Sequence, residues 1–181
     1  MPITPDDKDW TWILNRPCPE CHFDASTLVK EEFGDLIRSN AAQWTEILAE
    51  SPLALRSRVS DDRWSPLEYG CHVRDVFRLF DERLQLMLTV DGPNFQNWDQ
   101  DETAREGHYN DQEPSEVSTQ LSAAAAVLAH DFDAVTGEQW ERAGHRSDGA
   151  TFTIDSFGRY LIHDPTHHIF DVEQDLAQLR P

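Results

Sequence analysis

The sequence predicts an all-α protein, a four-helix bundle preceded by an irregular N-terminal arm. Four long segments repeat apolar residues at helical spacing, and few segments alternate as strands do. Proline, glycine and aspartate punctuate the chain between them. The 181 residues are read as one domain spanning 1–181, long enough to bury a core without disulfide support. Six tryptophans and nine phenylalanines argue for a packed globule despite a formal charge of -19.

The arm, residues 1–24, is rich in proline and aspartate and contains Cys18-Pro19-Glu20-Cys21; Trp10, Trp12 and Phe23 can hold it across the domain. The first helix is expected over 27–50, where Val29, Phe33, Ile37, Trp44 and Leu48 share a face until Ser51-Pro52 stops it. The second begins at Ser65-Pro66-Leu67-Glu68, with a capping serine, a proline at the first helical position and a glutamate that closes a capping box. It should run to about Val90 with Tyr69, Val73, Val76, Phe77, Phe80, Leu84, Met87 and Leu88 as its stripe. His72 and Arg83 lie at the edge of that stripe, where a side chain can point into a cleft between helices.

Asp91-Gly92-Pro93-Asn94 ends this helix and opens a long aromatic connection through Phe95, Trp98 and Tyr109, read either as a pocket wall or lid or as a surface cover held by its rings. Val117, Leu121, Ala124, Ala125, Leu128, Phe132 and Val135 define a third helix whose alanines allow close approach of a neighbour. Residues 140–153 read as a turn-rich connection with a short extended piece. The last helix is expected over 153–178, with Ile154, Phe157, Leu161, Ile169, Val172 and Leu176 as its buried stripe.

A charge of -19 and a pI near 4.5 argue against nucleic acid or an anionic membrane surface as a partner, because the protein's field repels both. There is no apolar run of bilayer length and no signal-peptide pattern at the N-terminus, which predicts a cytoplasmic protein. Three cysteines cannot all pair within the chain, in keeping with a reducing compartment. Bundle faces can pair, so a homodimer is compatible with the sequence without being indicated by it.

Histidine spacing points to a metal. His163 and His167 stand one turn apart on the last helix, and His72 projects from the second. If those helices pack side by side, three imidazoles meet one divalent ion and leave a coordination position open, the arrangement of a catalytic site. Asp164 with His168 is an alternative pair, and Asp171 can hold the distal nitrogen of His167. Pro165 removes one helical hydrogen bond, so it either kinks the helix or starts it, in which case the spacing loses meaning. Cys18 and Cys21 have the spacing of a redox dithiol or of half a zinc knuckle, with His22 and a distant histidine as substitutes for the missing pair. Cys71 reads as packing. Arg83, Arg146 and Arg159 are candidates to hold an anionic substrate group through their planar donor forks, against the plainer reading that they pair with surface carboxylates.

Trp64-Ser65-Pro66-Leu67-Glu68 followed by His72, together with the late His-x-x-x-His, resembles the DinB/YfiT-like superfamily of metalloenzymes. That family includes mycothiol-dependent maleylpyruvate isomerase and bacillithiol transferases, and the likeness extends from the first long helix onward. The resemblance implies a four-helix bundle that binds a divalent metal through His72, His163 and His167. Zinc is the first expectation, with nickel or another divalent ion as alternatives. It further implies that the metal activates a low-molecular-weight thiol such as mycothiol for transfer to, or isomerisation of, a small electrophile. Arg83, Arg146 or Arg159 would bind an anionic group, and Trp98 and Tyr109 would shield the reactants from water. Metal-dependent hydrolysis and non-catalytic binding of metal or a small molecule are the competing readings.

Overall fold

A computed structural model describes residues 9–179; residues 1–8 of the expected arm, and residues 180–181, lie outside the described residues. In chain order the helices are α1 (Phe33–Ile47), α2 (Pro52–Arg56), α3 (Pro66–Thr89), α4 (Gln100–Glu106), α5 (Pro114–Asp133) and α6 (Ile154–Leu179). The long helices α1, α3, α5 and α6 make the bundle. Both α5 and α6 pack against α1 and against α3, so α1 and α3 face each other across a diagonal although only α2 separates them in sequence. This order brings α6, with its histidines, beside α3.

The start of α3 follows its sequence signal. Ser65 Oγ accepts from the Glu68 amide, and the Glu68 carboxylate accepts from the Ser65 amide at 2.8 Å, completing the capping box. Glu68 is buried there and also pairs with Arg58. The α1 segment departs from expectation, because its helix begins at Phe33. Asp24 accepts from the Ser26 amide at 3.0 Å and stabilises a separate short turn, Ala25–Thr27, that competes with a continuous helix. Val29, placed on the first helix's apolar face by sequence spacing, is 48% exposed.

The core runs the length of the bundle through Phe33, Ile37, Trp44, Phe77, Leu84, Leu121, Leu128 and Phe157, all nearly inaccessible to water. Each such side chain contributes roughly 1.5–3 kcal/mol through burial. Two glycines permit the tight crossings. A Cβ at Gly158 would lie 2.4 Å from the Phe33 ring, and one at Gly34 would lie 2.8 Å from the Ala129 carbonyl oxygen.

The extended piece expected within 140–153 belongs to a three-stranded sheet: β1 (Asn94–Phe95), β2 (Ala143–Arg146) and β3 (Thr151–Thr153). β2 and β3 form a hairpin, with Gly144 opposite Phe152, and β1 joins β2 in parallel with Asn94 opposite His145. The sheet ties the connection that carries Trp98 to the entry of α6. No helix among the described residues is long and apolar enough to cross a membrane.

Candidate metal centre

α6 carries two pairs of side chains of the types that can ligate metals, one position out of step: His163 with His167, and Asp164 with His168. Neighbouring positions on a helix differ by about 100°, so the two pairs occupy adjoining faces. Pro165 does not start the helix, since α6 is continuous across it. The two pairs therefore keep their one-turn spacing.

The structure does not gather His72, His163 and His167 into one cluster. Donor atoms converge in two groups: His72 with Asp164 and His168, and His163 with His167, Cys18 and Cys21. The reason is rotational. The Asp164–His168 face of α6 looks toward α3, whereas the His163–His167 face meets the arm, whose Trp10 ring lies 5.5 Å and 5.1 Å from the two imidazoles.

In the first group, Asp164 Oδ1 lies 3.3 Å from His72 Nε2 and 3.8 Å from His168 Nε2. Around one ion with bonds near 2.1 Å and tetrahedral angles, donor atoms stand about 3.4 Å apart, so these separations suit a shared metal. His72 is wholly buried, yet neither of its ring nitrogens completes a hydrogen bond; nor does Asp164 Oδ1. Such atoms are costly to bury unless something engages them. Burial pushes the His72 pKa down against the pull of Asp164, the direction that favours the neutral ring a metal ligand must present. Burial would raise the Asp164 carboxyl, but the flanking imidazoles His72 and His168 hold it well below the usual carboxylate range. The Asp164 side chain remains 32% exposed, which opens the cluster to solvent on one edge.

Aromatic rings close the other edges. Trp98 stacks on His72 with centroids 5.3 Å apart and planes within 6°, Trp64 packs against the same ring at 5.1 Å, and Tyr69 lies 4.8 Å from His168. Trp98 is positioned by its indole N–H, which donates to Thr103 Oγ1 at 2.8 Å. Behind the histidines, Asp171 Oδ2 stands 3.7 Å from His168 Nδ1 and 3.6 Å from His167 Nε2, so one carboxylate faces both groups. Arg63 anchors it from the other side at 2.9 Å and also reaches Asp175. Nothing in the spacing of the sequence singles out Arg63, because it reaches α6 from the loop before α3.

Several expected site residues have other work. Tyr109 is buried and donates to Asp75 Oδ2 at 2.6 Å, so it anchors the connection beneath α3 instead of shielding reactants. Asp75 also takes Arg74. Arg83 donates to the Gln96 carbonyl at 2.6 Å and lies over Phe95, which places it under the Trp98 connection as a tether. Burial lowers its pKa to about 10, with the nearby Arg146 charge adding to the effect. Arg159 pairs with Asp155 and binds the carbonyls of Ala25 and Leu28, holding the arm. Arg146 pairs with Asp148 and donates to the Tyr160 hydroxyl at 3.2 Å. Cys71 is core, its thiol pushed up to about 12 by burial.

A shallow hollow of about 380 Å³ between α1, α2 and the start of α5, lined by Leu48, Pro52, Leu55 and Pro114, contains no residue of either group.

Two solved structures share this architecture. YfiT from Bacillus subtilis, described as a probable metal-dependent hydrolase with an unusual four-helix bundle topology, is 18% identical; the match covers 83% of this chain and 86% of that one with a TM-score of 0.73. A mutant of mycothiol-dependent maleylpyruvate isomerase is 12% identical over 82% of this chain, at a TM-score of 0.64, and the match spans 62% of that longer protein. At these identities the likeness establishes the fold alone. No curated protein matches the sequence significantly. The sequence model of the DinB superfamily matches residues 35–170, from the start of α1 to the histidines of α6, and the chain belongs to that superfamily.

Proposed function

We propose that His72, Asp164 and His168 hold one divalent metal ion and that the protein is a metal-dependent enzyme in which a low-molecular-weight thiol of the mycothiol class reacts with a small electrophile. The observation that carries this reading is the convergence of three donor atoms from two helices, with both His72 ring nitrogens and Asp164 Oδ1 buried and without a completed hydrogen bond. Two imidazoles and a carboxylate are a donor set found at catalytic zinc sites that keep a fourth position for a reactant. When bound, the ion supplies a positive charge that lowers the pKa of a thiol or a water and polarises the electrophile.

The chain's own residues supply the rest. Asp164 offsets one unit of the ion's charge, and Asp171 orients the His168 ring from behind. Trp98 and Trp64 keep water from the His72 side, leaving the exposed edge of Asp164 as the approach for reactants. Arg146, held by Asp148 and Tyr160, is the cation assigned to receive an anionic group by exchanging carboxylate partners.

The test is metal content and turnover on tag-free protein, comparing wild type with Asp164→Asn and His168→Ala. Each variant should lose one equivalent of metal relative to wild type and all metal-dependent consumption of mycothiol with an activated electrophile. Full metal retention in both variants would overturn the ligand assignment. A product with neither transferred thiol nor rearranged skeleton would replace thiol chemistry with hydrolysis.

A further inference from the structure

The second group lies outside the proposed reaction, and its donors differ in kind. We propose that Cys18, Cys21, His163 and His167 form a closed zinc site that clips the N-terminal arm to α6. It involves none of the residues that hold the first metal and does not depend on that reading.

Four donor atoms, two sulfurs and two imidazole nitrogens, lie within 4.8 Å of one another. Cys18 Sγ is 3.7 Å from His167 Nδ1. Bond lengths of about 2.3 Å to sulfur and 2.0–2.1 Å to nitrogen put such a pair about 3.5 Å apart around tetrahedral zinc. The local backbone directs the thiols. The Cys18 amide donates to the Phe23 carbonyl at 2.8 Å, and the His22 amide donates to the Cys18 carbonyl at 3.0 Å, curling the chain into a turn. His22 closes it at φ 60, in the left-handed region, and both sulfurs face α6.

Two further observations call for a ligand there. His163 is 4% exposed, and its Nε2 is buried without a hydrogen bond. His167 Nε2 faces carboxylates, Glu20 at 3.7 Å and Asp171 at 3.6 Å, which favour its N–H on that nitrogen and leave the Nδ1 lone pair toward Cys18. Trp10 and Phe23 pack over the imidazoles and shut out solvent. Thiolate ligands select zinc over magnesium or calcium, and four protein donors leave no position for a reactant. On binding, each cysteine releases its thiol proton to solvent, so loading liberates protons as it forms two zinc–sulfur bonds. A Cys-x-x-Cys turn could instead close on itself as a disulfide, but that would leave both histidines without a role.

Cobalt(II) titrated into reduced, metal-free, full-length protein reads this site directly, because only thiolate ligation gives a sulfur-to-cobalt charge-transfer band. The band is expected in wild type, to be displaced by zinc, to persist in Asp164→Asn and to vanish in the Cys18→Ser, Cys21→Ser double variant. Should that variant fail to fold, alkylation of Cys21 in native wild type serves instead: zinc should block labelling and a chelator restore it. Absence of the band in reduced wild type, or equal Cys21 labelling with and without zinc, overturns the proposal. Loss of the band in Asp164→Asn would also overturn it, by showing that thiols and Asp164 share one ion. Failure of the His72 group alone would leave the band intact, so the two readings fail separately.

Discussion

Two faces of α6 carry histidines one residue apart in sequence, and they differ in the donors that meet them and in their enclosure. Toward α3, three donors converge with one edge open through a partly exposed aspartate. Toward the arm, four donors converge beneath Trp10 and Phe23. The difference teaches that donor count, donor softness and enclosure, and not the number of histidines, separate a site that can accept a reactant from one that holds chain to chain.

The largest expected effect separates these roles. With zinc at about 100–1,000 times its Kd, the closed site should add about 3–4 kcal/mol to the stability of the state that binds it. Replacing Cys18 and Cys21 by serine should abolish this zinc-dependent rise in Tm and expose residues 9–24 to limited proteolysis, with the helical signal of the bundle retained. Asp164→Asn should do the reverse, keeping the zinc-dependent protection of the arm while losing turnover. If both variants lost the same metal and the same protection, the two faces would be one site.

Asp171 tests what the faces share. Its carboxylate stands behind His167 and His168 together, so Asp171→Asn should weaken metal at both groups, each by about 10–100-fold, an effect typical of carboxylates that orient ligating histidines. Competition against a chelator of known affinity reads both losses. Weakening at one group only would assign Asp171 to that face. Trp98→Ala should have a smaller effect, removing a ring contact worth about 0.5–1.5 kcal/mol and opening the His72 side to water. Cobalt in the thiolate group should be spectroscopically unchanged, while the d–d absorption of cobalt at the His72 group shifts.

Much of this was legible in the sequence because the relevant signals are local. The Ser65–Glu68 box marks the start of α3, and apolar spacing locates α5 and α6. His72 and the histidine-rich turn of α6 stand out for the same reason. What spacing does not carry is rotation. His163–His167 and Asp164–His168 are equivalent patterns, and only packing decides which faces α3. The arm was legible as a Cys-x-x-Cys, but its partners lie at the opposite end of the chain. β1 escapes notice because two residues in parallel pairing have no periodicity to read. Tyr109 and Arg83 looked like site residues because they are aromatic or cationic near a long connection, whereas the structure uses their polar ends to fasten that connection.

The smallest effect sharpens the comparison by lying outside it. Asp81 on α3 faces Asp131 on α5, away from both metal groups, and its carboxyl is raised to about 6 by burial, reinforced by the hydrogen bond and charge of Asp131. A carboxyl whose pKa is higher in the folded state binds its proton more tightly there. The resulting stabilisation is complete below the unfolded pKa of about 3.9 and is lost as pH rises through about 6. Asp81→Asn removes that titration. Its Tm should match wild type near pH 4 and exceed it above pH 6 by an amount worth less than about 1 kcal/mol, since the pair is partly exposed and screened. The gap should narrow in high salt, and metal stoichiometry should not change. A gain that persisted at pH 4 would show that asparagine acts by packing, and a change in metal content would show that the α3–α5 interface is coupled to the face where His72 meets α6.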